Sequence, residues 1–181
     1  MKSKEPDAAL TLVLRAVEFA ARKHRDQRRK DVHASPYINH PIALAAVLSR
    51  VGGVRRPVVL AAALLHDALE DTRTTPAELR RHFGDRVAAI VREVTDDKRL
   101  PKARRKTLQI EHAASLSQEA RLVKLADRIC NLTDILETPP KGWPIGRRRE
   151  YFDWSRQVID QIRGTNAALE REFDRLYRRR P

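Results

Sequence analysis

Cysteine and glycine are scarce in this chain of 181 residues, which has one cysteine, Cys130, and six glycines. A single cysteine excludes an internal disulfide and is typical of proteins from reducing compartments. Strand-rich folds use glycine in tight turns, and doubly wound folds use it in phosphate-binding loops, so its scarcity argues against both. The G-x-G-x-x-G and G-x-x-x-x-G-K-[ST] motifs are absent. We therefore expect neither a dinucleotide-binding nor a P-loop protein.

Long apolar runs are also missing. No segment has the length of apolar sequence that a membrane-spanning helix needs. The first 25 residues are charged and amphipathic, without the pattern of a cleavable signal peptide. We therefore expect a cytoplasmic protein with no membrane partner.

Acidic residues are outnumbered by basic ones. The chain has 37 lysines and arginines against 24 aspartates and glutamates, a formal net charge of +13. Such an excess indicates a polyanionic partner: nucleic acid, a phosphate-rich small molecule or an anionic membrane surface. The alternative is that arginine simply fills exposed helix faces, and composition alone leaves both interpretations open.

Helical periodicity covers most of the sequence, because apolar residues recur at three- and four-residue steps. The predicted helices span 8–24, 41–52, 58–70, 76–84, 85–95, 103–114, 117–136, 147–163 and 166–178. Proline and glycine mark residues 138–146 as a loop. The pattern predicts an all-α fold: one domain over residues 1–181 with about eight to ten helices and a flexible tail at 178–181.

The segment LLHDALEDT (64–72) places a cluster of ionisable side chains directly after the apolar run VVLAAALL (58–65). On a regular helix, all the members of this cluster would lie within an arc of about 140°. They are His66, Asp67, Glu70 and Asp71. Buried charge is costly unless it is paired, hydrogen-bonded or bound to a metal ion. The segment is therefore either a helix end that reaches solvent or a functional site.

Two more polar segments adjoin apolar sequence in the same way. His40 lies in YINHP, and Asp127 lies in LVKLADRICNL with Asn131 one helical turn later. Two imidazoles and two carboxylates without a thiolate suit a divalent ion such as Mn, Fe, Zn or Mg that also binds water. The acidic pair Glu70 and Asp71 would then be placed to take a proton from water. Taken singly, each residue also fits a structural or solvent-exposed role.

Five segments, in chain order, resemble the hydrolase domain of the RelA/SpoT enzymes, which belong to the HD superfamily of metal-dependent phosphohydrolases. They are YINHPIALAAVL, ALLHDALEDT, EVTDDKRLPKARRK, LVKLADRICNL and GW…EYFDWSRQVI…GTNAALE. The resemblance covers residues 10 to 175 and is strongest to the stand-alone small alarmone hydrolases, which include the metazoan SpoT homologue. HD alone is a weak motif, but HDxxEDT combined with VKLADRxxNL is specific.

This resemblance implies a reaction and a metal site. The reaction is hydrolysis of the 3′-pyrophosphate of ppGpp or pppGpp to GDP or GTP and pyrophosphate. The implied ligands of one Mn²⁺ are His40, His66, Asp67 and Asp127. Glu70 and Asp71 would activate or orient the attacking water. Zn, Fe or Mg in place of Mn remains open.

The resemblance also implies a nucleotide site. Asn131 would contact the nucleotide near its ribose, and Arg29 with Lys30 would face the base and phosphates. The phosphate end would be held by Lys102, Arg147 and Tyr151. The chain is too short to add a synthetase domain, so we expect no alarmone synthesis.

Several alternatives stay open at this point. Cys130 precedes Asn131 where relatives often carry an aromatic residue or histidine, so a guanosine and an adenosine alarmone are both possible substrates. The same metal site would also suit an NADPH 2′-phosphatase or a nucleotidase. A third possibility is a non-catalytic, basic, helical nucleic-acid-binding protein, but no recognition helix stands out, and we expect no nucleic-acid partner. Both a monomer and a homodimer fit the sequence.

Overall fold

A computed structural model describes residues 7–181, which form nine α-helices and one short 3₁₀ helix without a β-strand. The α-helices are α1 (Ala8–Lys23), α2 (Asn39–Arg50), α3 (Pro57–Leu65), α4 (Ala68–Asp71), α5 (Pro76–Val94), α6 (Lys102–Glu111), α7 (Gln118–Glu137), α8 (Ile145–Asp160) and α9 (Ala167–Tyr177). The 3₁₀ helix is Ala113–Ser115. The predicted all-α fold is confirmed. In this part of the chain no helix has both the length and the apolar character needed to cross a membrane.

Side-chain caps fix the start of several helices. The side chains of Asp7, Thr75, Ser117 and Asn166 accept hydrogen bonds from backbone N–H groups in the first turns of α1, α5, α7 and α9. The predicted boundary at Gly84 is present as a kink, because Gly84 takes φ 81° inside the otherwise continuous α5. A positive φ of this kind is readily available only to glycine.

The predicted single helix over 58–70 is wrong. Helix α3 ends at Leu65, His66 and Asp67 form a turn, and α4 starts at Ala68. Asp67 takes φ −96° and ψ 0°, a region in which many active-site residues lie. The turn occurs where both side chains have fixed polar partners in the interior. The regular helical spacing assumed for the acidic cluster therefore does not extend across it.

Helix α3 lies at the centre of the core. Residues 61–65 are buried, and the helix packs against α1, α2, α5 and α7. Helix α7 is buried along most of its length and also contacts α2 and α9. Because α2, α3 and α7 pack on one another, polar residues at the start of α2, after α3 and within α7 meet at one place.

The last residues of the chain contact α8. Arg180 Nη2 donates a hydrogen bond to Asp153 Oδ2 at 2.6 Å, and Arg149 Nε donates to the carbonyl of Pro181 at 2.5 Å. The flexibility of residues 178–181 stays a prediction.

Candidate active site

The two histidines and two aspartates expected to bind metal converge on one point. His40 Nε2 lies 3.2 Å from Asp127 Oδ1, and His66 Nε2 lies 2.9 Å from Asp67 Oδ2 and 3.9 Å from Asp127 Oδ1. One possible ligand atom from each of His40, His66 and Asp67 lies within 4.8 Å of the others. Three segments far apart in sequence therefore present nitrogen and oxygen donors to one position.

The tautomer of His66 shows that this position fits a cation. Its Nδ1 donates to the carbonyl of Ala63 at 2.9 Å, so the lone pair of neutral His66 is on Nε2. This Nε2 is buried without a hydrogen-bond partner and faces the carboxylates of Asp67 and Asp127. A lone pair facing two anions requires a positive charge at this position, which either a proton on Nε2 or a metal ion supplies. An imidazole whose second nitrogen donates to a carbonyl is the usual arrangement of a metal-binding histidine.

Burial and neighbouring charges shift the pKa values of these groups. Burial lowers the pKa of His66, but Asp67 and Asp127 outweigh it and raise this pKa to about 9. Burial raises the pKa of Asp127, but the Arg128 guanidinium and the hydrogen bond to His40 hold it well below its usual range. The carboxylates are therefore ionised at neutral pH, and a metal ion that binds His66 must displace a proton.

Glu70 and Asp71 lie on α4 beside the four candidate ligands. Glu70 Oε2 accepts a hydrogen bond from the backbone N–H of Asp96 at 3.2 Å, and Arg105 Nη1 lies 3.6 Å from Oε1. Burial and the nearby carboxylate of Asp67 raise the pKa of Glu70 to about 7. A carboxyl group with a pKa near neutrality is suited to accept and return a proton.

Asp71 has two partners that the sequence analysis did not identify. Lys98 Nζ contacts Asp71 Oδ1 and lies 3.9 Å from Glu70 Oε1. The hydroxyl of Tyr37 lies 3.4 Å from Asp71 Oδ2 and also donates to Asp67 Oδ2. Lys98 and Tyr37 therefore hold the acidic pair against the candidate metal ligands.

Three adjoining cavities surround these groups. The metal cavity, of about 200 Å³, is lined by the four candidate ligands, Glu70 and Asp71. The wide cavity, of about 460 Å³, lies between the loop after α1, helix α2 and the C-terminal half of α7. The basic cavity, of about 200 Å³, lies between α6 and α8. Tyr151 lines all three, so the three cavities meet at this side chain.

All six residues expected to bind the nucleotide line these cavities. Arg29 and Asn131 line the metal and wide cavities, and Lys30 lines the wide cavity. Lys102 and Arg147 line the basic cavity. Their roles stay predictions. Cys130 is buried and does not line any of the three cavities, so it offers no direct contact to a ligand there.

The basic cavity concentrates positive charge. Its walls include four cationic side chains and two carboxylates, those of Lys102, Arg105, Lys106 and Arg147 and of Asp96 and Glu150. Burial, together with the charges of Arg147, Lys30 and Arg105, lowers the pKa of Lys102. Cations that lower each other's pKa attract an anion strongly, as phosphate-binding sites do.

Sequence reasoning missed Tyr37, Lys98 and Arg128. Tyr37 precedes His40 by one helical turn, and Arg128 directly follows Asp127 within an apolar run. Only Arg128 carried a signal, because a charged side chain within an apolar segment needs a partner when it is buried. Lys98 lies in the polar segment DDKR, where one lysine cannot be distinguished from its solvated neighbours.

Comparison with known proteins identifies relatives of this chain along nearly its whole length. The sequence model of the HD domain family matches residues 16–150. Guanosine-3′,5′-bis(diphosphate) 3′-pyrophosphohydrolase MESH1 of Xenopus tropicalis is 53% identical over 171 residues, which are 94% of each chain. Human MESH1 is 52% identical over 168 residues, covering 93% of this chain and 94% of its own.

A solved structure also resembles the whole chain. It is that of a metazoan ortholog of SpoT that hydrolyzes ppGpp. The TM-score is 0.91, the sequence identity is 46%, and the match covers 98% of each chain. The likeness therefore extends over nearly the whole chain.

Proposed function

The chain belongs to the HD domain family, and from this premise we propose that it is a metal-dependent 3′-pyrophosphohydrolase of guanosine alarmones. It converts ppGpp to GDP and pyrophosphate, and pppGpp to GTP and pyrophosphate. The observation that carries this conclusion is the meeting of His40, His66, Asp67 and Asp127 beside an acidic pair. Relatives of more than 50% identity are named for this reaction.

We propose Mn²⁺ as the ion, with His40, His66, Asp67 and Asp127 as its ligands. Two imidazoles and two carboxylates without a thiolate form the mixed nitrogen and oxygen set that suits such an ion. When bound, it supplies a nucleophile at neutral pH and neutralises charge on the leaving pyrophosphate. The buried Nε2 of His66, which lacks a hydrogen-bond partner, supports this assignment.

Glu70 and Asp71 have different roles toward the attacking water. The water oxygen bonds to the phosphorus attached to the ribose 3′-oxygen, the bond between that phosphorus and the 3′-oxygen breaks, and the 3′-oxygen takes up the proton that Glu70 accepted from the water. Glu70, whose pKa of about 7 permits both protonation states, accepts the water proton. Asp71, held by Lys98 and Tyr37, orients the water.

We propose that the rest of the substrate is divided between the wide cavity and the basic cavity. The nucleoside occupies the wide cavity, with Asn131 near the ribose and Arg29 with Lys30 around the base and phosphates. The 5′-phosphates occupy the basic cavity, where Lys102, Arg147 and Tyr151 hold them. Because the metal cavity adjoins both, the 3′-pyrophosphate reaches the ion while the rest of the nucleotide stays bound.

A product assay tests this proposal. Protein stripped of metal by a chelator is incubated with ppGpp, with its adenosine counterpart or with NADPH, each with and without added Mn²⁺. We expect GDP and pyrophosphate in equal amounts from ppGpp, and only when Mn²⁺ is present. Phosphate release from NADPH with ppGpp left intact would contradict the proposal and indicate a phosphatase. Turnover of the adenosine alarmone alone would contradict the guanosine assignment.

A further inference from the structure

A buried guanidinium on α7 connects the metal cavity to the wall of α8. Arg128 is 5% exposed, and its Nη2 lies 3.0 Å from Asp127 Oδ2. Its Nη1 donates a hydrogen bond to the hydroxyl of Tyr151 at 2.8 Å. Arg128 thus contacts one candidate metal ligand and one candidate substrate-binding residue at the same time.

The two oxygens of Asp127 face different partners. Oδ1 lies 3.2 Å from His40 Nε2 and accepts a hydrogen bond from Asn131 Nδ2 at 2.7 Å. Oδ2 faces Arg128. With partners on both oxygens the carboxylate plane is fixed, and Oδ1 is the oxygen directed at the two imidazoles.

The guanidinium is itself held in place by two other helices. Nη2 donates to Gln109 Oε1 on α6 at 3.1 Å, and the guanidinium carbon lies 4.4 Å from the centre of the Trp154 ring on α8. A planar guanidinium that stacks on an aromatic ring while its ends form hydrogen bonds has little freedom to rotate. The orientation of Asp127 is therefore set by α6 and α8 as well as by α7.

We propose that Arg128 is a positioning residue that orients Asp127 toward the metal ion and couples metal binding to Tyr151. The proposal rests on the proposed function for the ligand role of Asp127 and the substrate role of Tyr151. It predicts that changes at Tyr151, which has no hydrogen bond to the candidate metal ligands among the described residues, alter metal affinity in the absence of any nucleotide. A purely structural arginine would not produce that effect.

Arg121 provides a matched control on the same helix. It lies two turns earlier, and its Nε and Nη2 donate only to the backbone carbonyls of Leu116 and Ala114, at 2.9 and 2.6 Å. Arg121→Lys therefore makes the same chemical change on the same helix without affecting the metal cavity.

The experiment measures Mn²⁺ affinity by competition with a chelating indicator, without substrate, at a temperature well below the melting point of every variant. We expect Arg128→Lys to bind Mn²⁺ at least about tenfold more weakly than the parent chain, because a lysine cannot hold Asp127, Gln109 and Tyr151 together. Tyr151→Phe is expected to weaken binding about two- to threefold, and Arg121→Lys to leave it unchanged.

Two results would overturn the proposal. Parent affinity in Arg128→Lys would show that Asp127 is oriented without the guanidinium, and parent affinity in Tyr151→Phe would show that no coupling passes through it. If Arg128→Lys does not fold, Tyr151→Phe decides alone, because it keeps the arginine. If the affinities change as expected but ppGpp is not hydrolysed, the proposed function fails and the positioning role stands.

Discussion

The metal cavity and the basic cavity differ in how firmly the protein holds their charged groups. Of the side chains that converge on the metal cavity, His40, His66 and Asp127 are buried and Asp67, Glu70 and Asp71 are half-buried. The cations of the basic cavity, such as Lys102 and Arg147, lie on exposed or half-exposed positions of α6 and α8. The first cavity is preorganised, whereas the second can adjust its side chains around a ligand. Substitutions should therefore abolish function in the first cavity and weaken it by degrees in the second.

The largest effect is expected at Asp127. Asp127→Ala removes the carboxylate that faces both imidazoles, so the protein should lose its metal ion and about a thousandfold or more of its turnover of ppGpp. Elemental analysis of the purified variant and a turnover assay measure the two quantities. Asp160→Ala, which removes an exposed carboxylate on α8, serves as the control. A full complement of metal in Asp127→Ala would exclude Asp127 as a ligand.

The second-largest effect is expected at Glu70. It distinguishes the role of the acidic pair from that of the candidate metal ligands in the same cavity. Glu70→Gln removes the group that we propose accepts the proton but leaves the four candidate ligands intact. We expect unchanged metal content and a turnover lower by about 10²- to 10⁴-fold, the range of general base catalysis. Glu78→Gln on α5 is the matched control, since Glu78 pairs only with Lys23 outside the site. An undiminished rate would remove Glu70 from this role.

A graded effect is expected in the basic cavity. Lys102→Ala or Arg147→Ala removes one of several cations, so KM for ppGpp should rise about tenfold while metal content stays unchanged. The increase should shrink at high salt, because screening weakens the phosphate contact in the parent chain as well. Steady-state kinetics at two salt concentrations test this. Loss of metal in either variant would contradict the separation of the two cavities.

The smallest effect concerns an ion pair outside both cavities. Hydrogen bonds from Arg86 and Arg56 hold the pKa of Glu119 at about 2, below its ordinary value of 4.5. Because this pKa is lowered in the folded state, the stabilisation is present above pH 4.5 and is lost as the pH falls toward 2. Glu119→Gln should lower the melting temperature by roughly 2–4 °C at pH 7, for a loss of about 1 kcal/mol.

The pH dependence of the melting temperature of Glu119→Gln provides a second test of this ion pair. The difference in melting temperature between the parent chain and Glu119→Gln should narrow as the pH is lowered from 5 to 2.5. Differential scanning calorimetry across this range measures it, and ppGpp turnover at neutral pH should be unaffected. A difference that stays constant with pH would show that the charge of Glu119 contributes nothing.

The contrast between the cavities also explains what the sequence allowed us to predict. His66 and Asp67 are noticeable because charged residues directly follow an apolar run, and burial of such residues requires a partner. Most of the helices were predictable because burial of one face in the core produces an apolar periodicity in the sequence. Lys30 and Lys102 lie in basic segments whose composition does not distinguish them from solvent-exposed basic segments. Only the family resemblance identified these two residues as candidates.

The features that could not be predicted from the sequence depend on tertiary contacts. Helix α3 ends at Leu65, and the turn after it brings Asp67 to the hydroxyl of Tyr37, which lies 30 positions earlier in the chain. The contact of Lys98 with Asp71 joins residues 27 positions apart. Periodicity and motif spacing describe local structure and contain no information about such pairs.

The central claim is that His40, His66, Asp67 and Asp127 bind one divalent ion beside Glu70 and Asp71. Anomalous diffraction at the manganese edge, from crystals grown with Mn²⁺, tests this most directly. We predict one strong peak per chain within about 2.0–2.3 Å of a donor atom from each of the four side chains. A peak bound by Glu70 and Asp71 alone, or no peak in the metal cavity, would contradict the account.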